Sequence, residues 1–151
     1  MKGLDFRLSK KSERNYVVII GCGRLGAGLA DEIYGQGNDV CVVDRERDAF
    51  RKLDSSFGGL TEAADAADLE TLSRIQAEKA DCIILVTDND NSNIMISQIA
   101  DSLFHTKKIV CRLYDPEKEC IYKGTGIETI CPAVLSAREI EKLIGKGKEV
   151  S

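Results

Sequence analysis

Apolar residues along this chain alternate between two patterns. Short unbroken runs recur at Val17-Val18-Ile19-Ile20, Val40-Cys41-Val42-Val43, Cys82-Ile83-Ile84-Leu85-Val86 and Ile109-Val110-Cys111. Runs of this length without alternation mark strands buried on both faces, as in parallel sheets. Between them the spacing turns helical. Leu25, Leu29 and Ile33 form one stripe and Leu69, Leu72 and Ile75 a second. Met95, Ile99 and Leu103 form a third with Ile96 and Ala100 beside them, and Val134, Ala137, Ile140 and Ile144 a fourth. A weaker strand, Phe57 to Thr61, and a last one, Ile127 to Cys131, complete the series, and Ile109 to Tyr114 is read as strand five. Asp48 to Leu53 reads as a short helix, with Phe50 and Leu53 spaced for one face. Punctuation agrees with these elements. Gly35 and Gly37 stop the first helix, Asp68 is placed to cap the second, and Pro116 and Pro132 open the last two.

The region from Tyr16 to Asp44 organises the rest. A strand runs into the turn Gly21-Cys22-Gly23-Arg24-Leu25-Gly26, a helix follows, and a second strand ends in Asp44. This is the dinucleotide-binding fingerprint in its required strand–turn–helix–strand context. Gly21 permits the tight turn, Gly23 lets a phosphate approach the backbone, and Gly26 allows close helix packing. The helix N-terminus offers N–H groups and a positive dipole end to a phosphate. Asp44 stands near the usual spacing of about 20 residues for an acid that accepts from a ribose diol. The expected fold is therefore α/β: a Rossmann-like doubly wound parallel sheet of about six strands with helices on both faces.

Composition narrows the class. The chain of 151 residues is long enough for one domain with a real core, and a net charge of −4 offers no global basic field for nucleic acid. No apolar run approaches the roughly 20 residues of a membrane span. The polar first 14 residues lack the apolar centre of a signal peptide and read as a basic leader, ahead of a nucleotide-binding domain over 15–144 and a tail over 145–151. Six cysteines are present without a CxxC pair, beside a single histidine, His105. Cys41, Cys82, Cys111 and Cys131 lie in or beside apolar runs, where a reduced thiol acts as a small hydrophobe. These features point to a reducing, cytoplasmic setting and to no metal site.

Other polar residues fall where the topology predicts the same sheet edge. Asp65 lies in the loop after strand three and can border an adenine, while Thr87-Asp88-Asn89 follow strand four. Arg45 follows Asp44, either stacked on an adenine face or in solvent. Arg112 interrupts an apolar strand and needs a partner, such as a phosphate or the Asp88 carboxylate. Tyr114 and Lys118 have the YxxxK spacing of short-chain dehydrogenases, but Pro116 lies between them and keeps them off a shared helix face. His105 lies past a helix end and reads as a surface residue. With no acid–base set, sensing of a nucleotide is favoured over its chemical conversion, a small NAD(P)-dependent oxidoreductase being the alternative. On the last helix Leu135 and Leu143 widen the apolar face, which fits either a broad core face or contact with another chain.

Taken in order, Val18-Ile-Ile-Gly-Cys-Gly-Arg-Leu-Gly26, Val43-Asp-Arg45, Ala64-Asp-Ala66, Val86-Thr-Asp-Asn89, Val110-Cys-Arg112 and Ile130-Cys-Pro132 resemble the TrkA N-terminal domain, also called the RCK or KTN domain. The resemblance covers about residues 15–144. It implies a cytoplasmic regulator of a bacterial Trk/Ktr-type potassium uptake system that binds NAD(H) or AMP, ADP or ATP without turnover. It also implies a homo-oligomer, a dimer or a higher ring, beneath a membrane-embedded potassium transporter subunit. Carried over by position, Gly21, Cys22, Gly23, Arg24, Leu25 and Gly26 would form the phosphate loop and Asp44 would hold the ribose. Asp65 and Ala66 would border the adenine, with Ala64 standing where the family often has glycine. Thr87, Asp88 and Asn89 would line the phosphate edge, and Arg112 would reach phosphate or a neighbouring subunit. Many members carry a further C-terminal ligand domain. None is expected in this sequence, which suits a stand-alone subunit or one that works beside a separate chain.

Overall fold

The computed structural model describes residues 14–122 and 124–145. The basic leader, apart from Arg14, and the tail, apart from Gly145, lie outside the described residues. Six strands, β1 (Tyr16–Ile20), β2 (Asp39–Asp44), β3 (Leu60–Ala63), β4 (Cys82–Leu85), β5 (Lys108–Arg112) and β6 (Ile127–Ile130), form one sheet in the order β3-β2-β1-β4-β5-β6. Every pairing is parallel. The strand order reverses between β1 and β4, and open α/β sheets bind ligands outside the carboxyl ends of the strands at such a switch point.

The apolar runs become strands because both faces of the sheet are covered. Val17, Ile19, Val40, Val42, Cys82 and Ile84 point into one core layer, which α1 (Arg24–Gly35) and the 3-10 helix Arg47–Lys52 pack against. Val18, Ile20, Cys41, Val43, Ile83, Leu85, Ile109 and Cys111 point into the other, beneath α2 (Leu69–Arg74), α3 (Asp90–Ser102) and the 3-10 helix Pro116–Tyr122. Each fully buried Val or Ile contributes about 1.5–3 kcal/mol relative to exposure. Cys22, Cys41, Cys82, Cys111 and Cys131 are buried free thiols, and Cys120 is exposed. Burial raises the Cys41 thiol to about 11 and the Cys82 thiol to about 12, so both stay protonated and apolar at neutral pH.

Several elements differ from the sequence-based expectation. Strand three starts at Leu60 rather than Phe57, because Phe57 turns into the core layer beside Tyr34, with ring centroids 5.2 Å apart. The short helix after β2 and the one that Pro116 opens both form, as the 3-10 helices Arg47–Lys52 and Pro116–Tyr122. Asp68 caps α2 as expected, accepting from the Glu70 N–H at 3.0 Å, but Leu69 is exposed. On α3 the buried positions are Asp90, Asn93, Ile96, Ser97 and Ala100, whereas Met95 and Leu103 face outward. The helix is thus rotated relative to the stripe of its most apolar residues. Helix α4 (Pro132–Gly145) forms where expected, yet none of its residues is buried. Among the described residues, Val134, Ala137, Ile140 and Ile144 therefore do not form a core face.

Candidate nucleotide-binding cleft

A cleft of about 950 Å³ opens at the switch point, within the range of roughly 300–1,000 Å³ usual for small-molecule sites. Every residue expected at the nucleotide site lines it: Gly21, Cys22, Gly23, Arg24, Leu25, Gly26, Asp44, Arg45, Asp65, Ala66, Thr87, Asp88, Asn89 and Arg112. Also on its walls are Glu46, Asp48, Lys52, Ser92, Ile96 and Tyr114. No short motif marks the residues around Ala49, which reach the cleft because the 3-10 helix after β2 folds back over the glycine turn.

The glycines divide by what surrounds them. Gly21 has φ +109°, and a Cβ there would lie 2.7 Å from the Val86 carbonyl oxygen and 2.8 Å from the Thr87 nitrogen. The turn is therefore pressed against the end of β4. A Cβ on Gly26 would overlap the Gly21 carbonyl, so Gly26 serves the closeness of the turn itself. Gly23 is different: a Cβ there would meet nothing within 4 Å, and its backbone is extended with φ −80°. Packing within the chain therefore does not require glycine at this position, whereas close approach by a ligand would. Gly23 is also the N-cap of α1, where no side chain accepts from the helix and no acid occupies the first turn. The positive end of the helix is left facing the cleft.

Asp44 ties this turn to the end of β2. Its Oδ2 accepts from the Cys22 N–H at 2.8 Å and its Oδ1 from the Glu46 N–H at 2.8 Å. A carboxylate oxygen has more than one lone pair, so both retain capacity for a ligand hydroxyl. The Cys22 thiol donates to the Ala49 carbonyl at 3.4 Å, and burial first, then the Asp44 charge, raises its pKa. It stays a thiol at neutral pH and is not poised as a nucleophile.

Arg45 is largely exposed, and its Nη2 pairs with Asp65 Oδ2 at 3.1 Å, across the β2 and β3 ends of the cleft. The other Asp65 oxygen accepts from the Ala67 N–H at 2.9 Å and shapes the loop around Ala66. Arg112 also finds partners other than the expected Asp88. Its Nη2 donates to the carbonyls of Val86 at 2.8 Å and Thr87 at 3.2 Å, and its Cζ lies 4.9 Å from the Tyr114 ring centroid. Among the described residues no carboxylate pairs with it. Tyr114 and Lys118 point to different partners, since Lys118 Nζ lies 3.7 Å from Asp90 Oδ2. They do not assemble the dehydrogenase pair that their spacing imitates. His105 is exposed, with φ +51°.

Two residues behind the cleft carry much of its shape. Asp90 accepts from the N–H groups of Tyr114 at 2.8 Å and Asp115 at 3.0 Å. Burial pushes its carboxyl up, but the two N–H donors and Lys118 outweigh that, and the net shift is below the ordinary carboxylate value. Asn93, fully buried, bonds to both Thr87 and Arg112. Sequence reasoning passed over both residues, which look like an ordinary polar start to a helix, as Asn89 indeed provides by capping α3 through the Ser92 N–H at 3.0 Å.

The profile of the TrkA-N domain matches residues 17–132. The chain is 36% identical over 135 residues to the Trk system potassium uptake protein TrkA of Streptomyces coelicolor, covering 89% of this chain and 60% of that protein. It is 32% identical over 135 residues to the protein of the same name in Vibrio alginolyticus, covering 85% of this chain and 30% of that one. This chain thus spans less than two thirds of these relatives. The fold is shared with the TrkA-N domain of the inner membrane protein ybaL from Escherichia coli, at TM-score 0.75 and 19% identity over 88% of this chain and 98% of that one. It is shared too with the GsuK RCK domain, at TM-score 0.72 and 21% identity over 89% of this chain and 29% of that one. A third neighbour is the Kef CTD of Shewanella denitrificans in AMP-bound form, at TM-score 0.65 and 22% identity over 87% of this chain and 82% of that one.

Proposed function

This chain belongs to the TrkA-N domain family, and on that footing we propose that it is the nucleotide-sensing regulatory module of a potassium transporter or channel. The ligand is an adenine nucleotide (AMP, ADP or ATP) or NAD(H), bound without turnover. The nucleotide-binding unit extends over residues 15–144. The observation that carries this reading is the joined turn and acid. An uncapped helix N-terminus at Gly23 stands beside Asp44, which the Cys22 N–H orients. That pairing provides for a phosphate and a ribose diol attached to it.

The cleft wall assigns the remaining roles. Asp65 and Ala66 border the adenine, with Arg45 fixing the Asp65 carboxylate. Thr87, Asp88, Asn89 and Arg112 face the ligand beyond its first phosphate. The names of the relatives support a potassium-transport setting, and the AMP-bound neighbour supports an adenine nucleotide. No helix among the described residues is long and apolar enough to cross a membrane. In this reading, which the relatives' names support, the module acts at the cytoplasmic face through a membrane-embedded transporter subunit. Leu135, Ile140, Leu143 and Ile144 are exposed along α4 and supply an apolar face for a homo-oligomer. Titration of the purified protein with adenine nucleotides and NAD(H), followed by calorimetry, tests the ligand; saturable binding without product formation is expected.

A further inference from the structure

We propose that Asn93 is a positioning residue that builds a second-phosphate subsite from Thr87 and Arg112, and so makes the cleft prefer adenine nucleotides with a pyrophosphate over AMP. The inference rests on the nucleotide reading above. Asn93 is fully buried and is not part of the cleft wall. Its Oδ1 accepts from the Thr87 N–H at 3.2 Å and from the Thr87 hydroxyl at 2.6 Å. Its Nδ2 donates to the carbonyls of Thr87 at 3.1 Å and Arg112 at 2.9 Å. Both donors and two acceptor sites of one amide are thus in use, which fixes its orientation. The result is a bolt between the loop after β4 and the end of β5, the two segments that contribute Thr87 and Arg112 to the cleft.

What the bolt holds is a charge. The Arg112 guanidinium is gripped by the Val86 and Thr87 carbonyls and faced by the Tyr114 ring, all neutral groups. Its Nε is buried without a hydrogen-bond partner, a cost that an orientation chosen for solvation alone would avoid. A cation fixed by neutral groups at a cleft edge keeps its full charge for an anionic ligand. The same Val86–Thr87 peptide presses on Gly21. Arg112 is therefore braced on the peptide next to the glycine turn, where a phosphate following the first would come to lie. Asp90 holds the next segment, Tyr114 and Asp115, so the first turn of α3 secures this whole edge.

Calorimetric titration of the full chain with AMP and with ADP tests the inference. Wild type, Asn93→Ala, Arg112→Gln and the double variant are compared after circular dichroism has verified folding. Asn93→Ala is expected to weaken ADP binding by about tenfold, the scale of one charge-assisted hydrogen bond, with AMP affinity changed by less than about twofold. In the Arg112→Gln background the same substitution should add no further selective loss. Equal weakening of AMP and ADP in a folded Asn93→Ala protein would reduce Asn93 to a structural residue and overturn the proposal. Wild-type protein that binds neither nucleotide would overturn the nucleotide reading itself. If the alanine variant does not fold, NMR of the wild type decides. ADP should shift the Asn93 side-chain amide resonances and AMP leave them in place, and an identical response to both would contradict the subsite.

Discussion

The Asp44 carboxylate accepts a hydrogen bond from the Cys22 backbone N–H at 2.8 Å, so the acid at the end of β2 and the middle of the glycine turn are one mechanical unit. A residue expected to bind ribose thereby also sets the shape of the phosphate loop. Asp44→Ala is expected to weaken nucleotide binding by about 1.5–3 kcal/mol, the range for a hydrogen bond to a charged group, and to lower the melting temperature of the free protein. Asp44→Asn should restore part of the melting temperature, since an amide oxygen can still accept from one N–H. Calorimetry and thermal melts read the two effects separately. An Asp44→Ala protein with unchanged affinity would remove this residue from the binding site.

The glycine turn makes a contrast inside one motif. Gly23 has free space where a Cβ would stand, whereas Gly21 has positive φ and backbone atoms of Val86 and Thr87 in the way. Gly23→Val should cost no more than about 1 kcal/mol of stability, as a weaker N-cap, and abolish nucleotide binding. Gly21→Ala should cost at least about 1–3 kcal/mol from backbone strain alone. Denaturant titrations rank the two. A Gly23→Val protein that binds normally would place the phosphate elsewhere.

Asp90 links stability to acid. Its folded pKa lies below the ordinary value because N–H donors and Lys118 outweigh burial. The stabilisation is present above its unfolded pKa of about 3.9 and is lost as pH falls from there through the lower folded value. Asp90→Asn should therefore be less stable than wild type at neutral pH and show a shallower loss of stability on acidification below about pH 4. Parallel acid-unfolding profiles for the two proteins would show that the Tyr114–Asp115 turn is not held by this charge.

Helix α4 is amphipathic, and none of its residues is buried. Leu143→Glu is expected to leave the fold of the unit intact, since Leu143 is exposed, and to shift the protein toward monomer in analytical ultracentrifugation. Unaltered sedimentation would take α4 out of the interface.

The sheet was legible because its central strands β1, β2 and β4 are buried on both faces and read as continuous apolar runs. The cleft was legible because its glycines and Asp44 follow a spacing set by backbone sterics. What escaped was polar burial. Asn93 and Ser97 are fully buried on α3 beside Ile96 and Ala100, while Met95 is exposed, so the apolar stripe marks only part of the buried face. Ser97 is satisfied by the Ile94 carbonyl at 2.8 Å and lies 3.1 Å from the Tyr122 hydroxyl. The bonds of Asn93 to Arg112 and of Ser97 to Tyr122 join residues distant in sequence and leave no period to read. The partners of Arg112 were missed for a related reason, because backbone carbonyls satisfy it and carbonyls carry no sequence signal. Helix α4 shows the opposite case: its period was correct, but an apolar stripe does not say which surface covers it.

Thermal stabilisation of the purified chain by AMP, ADP, ATP, NAD and NADH, each in turn, tests the central claim most directly. A bound nucleotide at 100 times its dissociation constant should add about 2.7 kcal/mol of stability, and Gly23→Val should abolish the shift. An absence of stabilisation by every one of these ligands would contradict the assignment of this cleft as a nucleotide sensor.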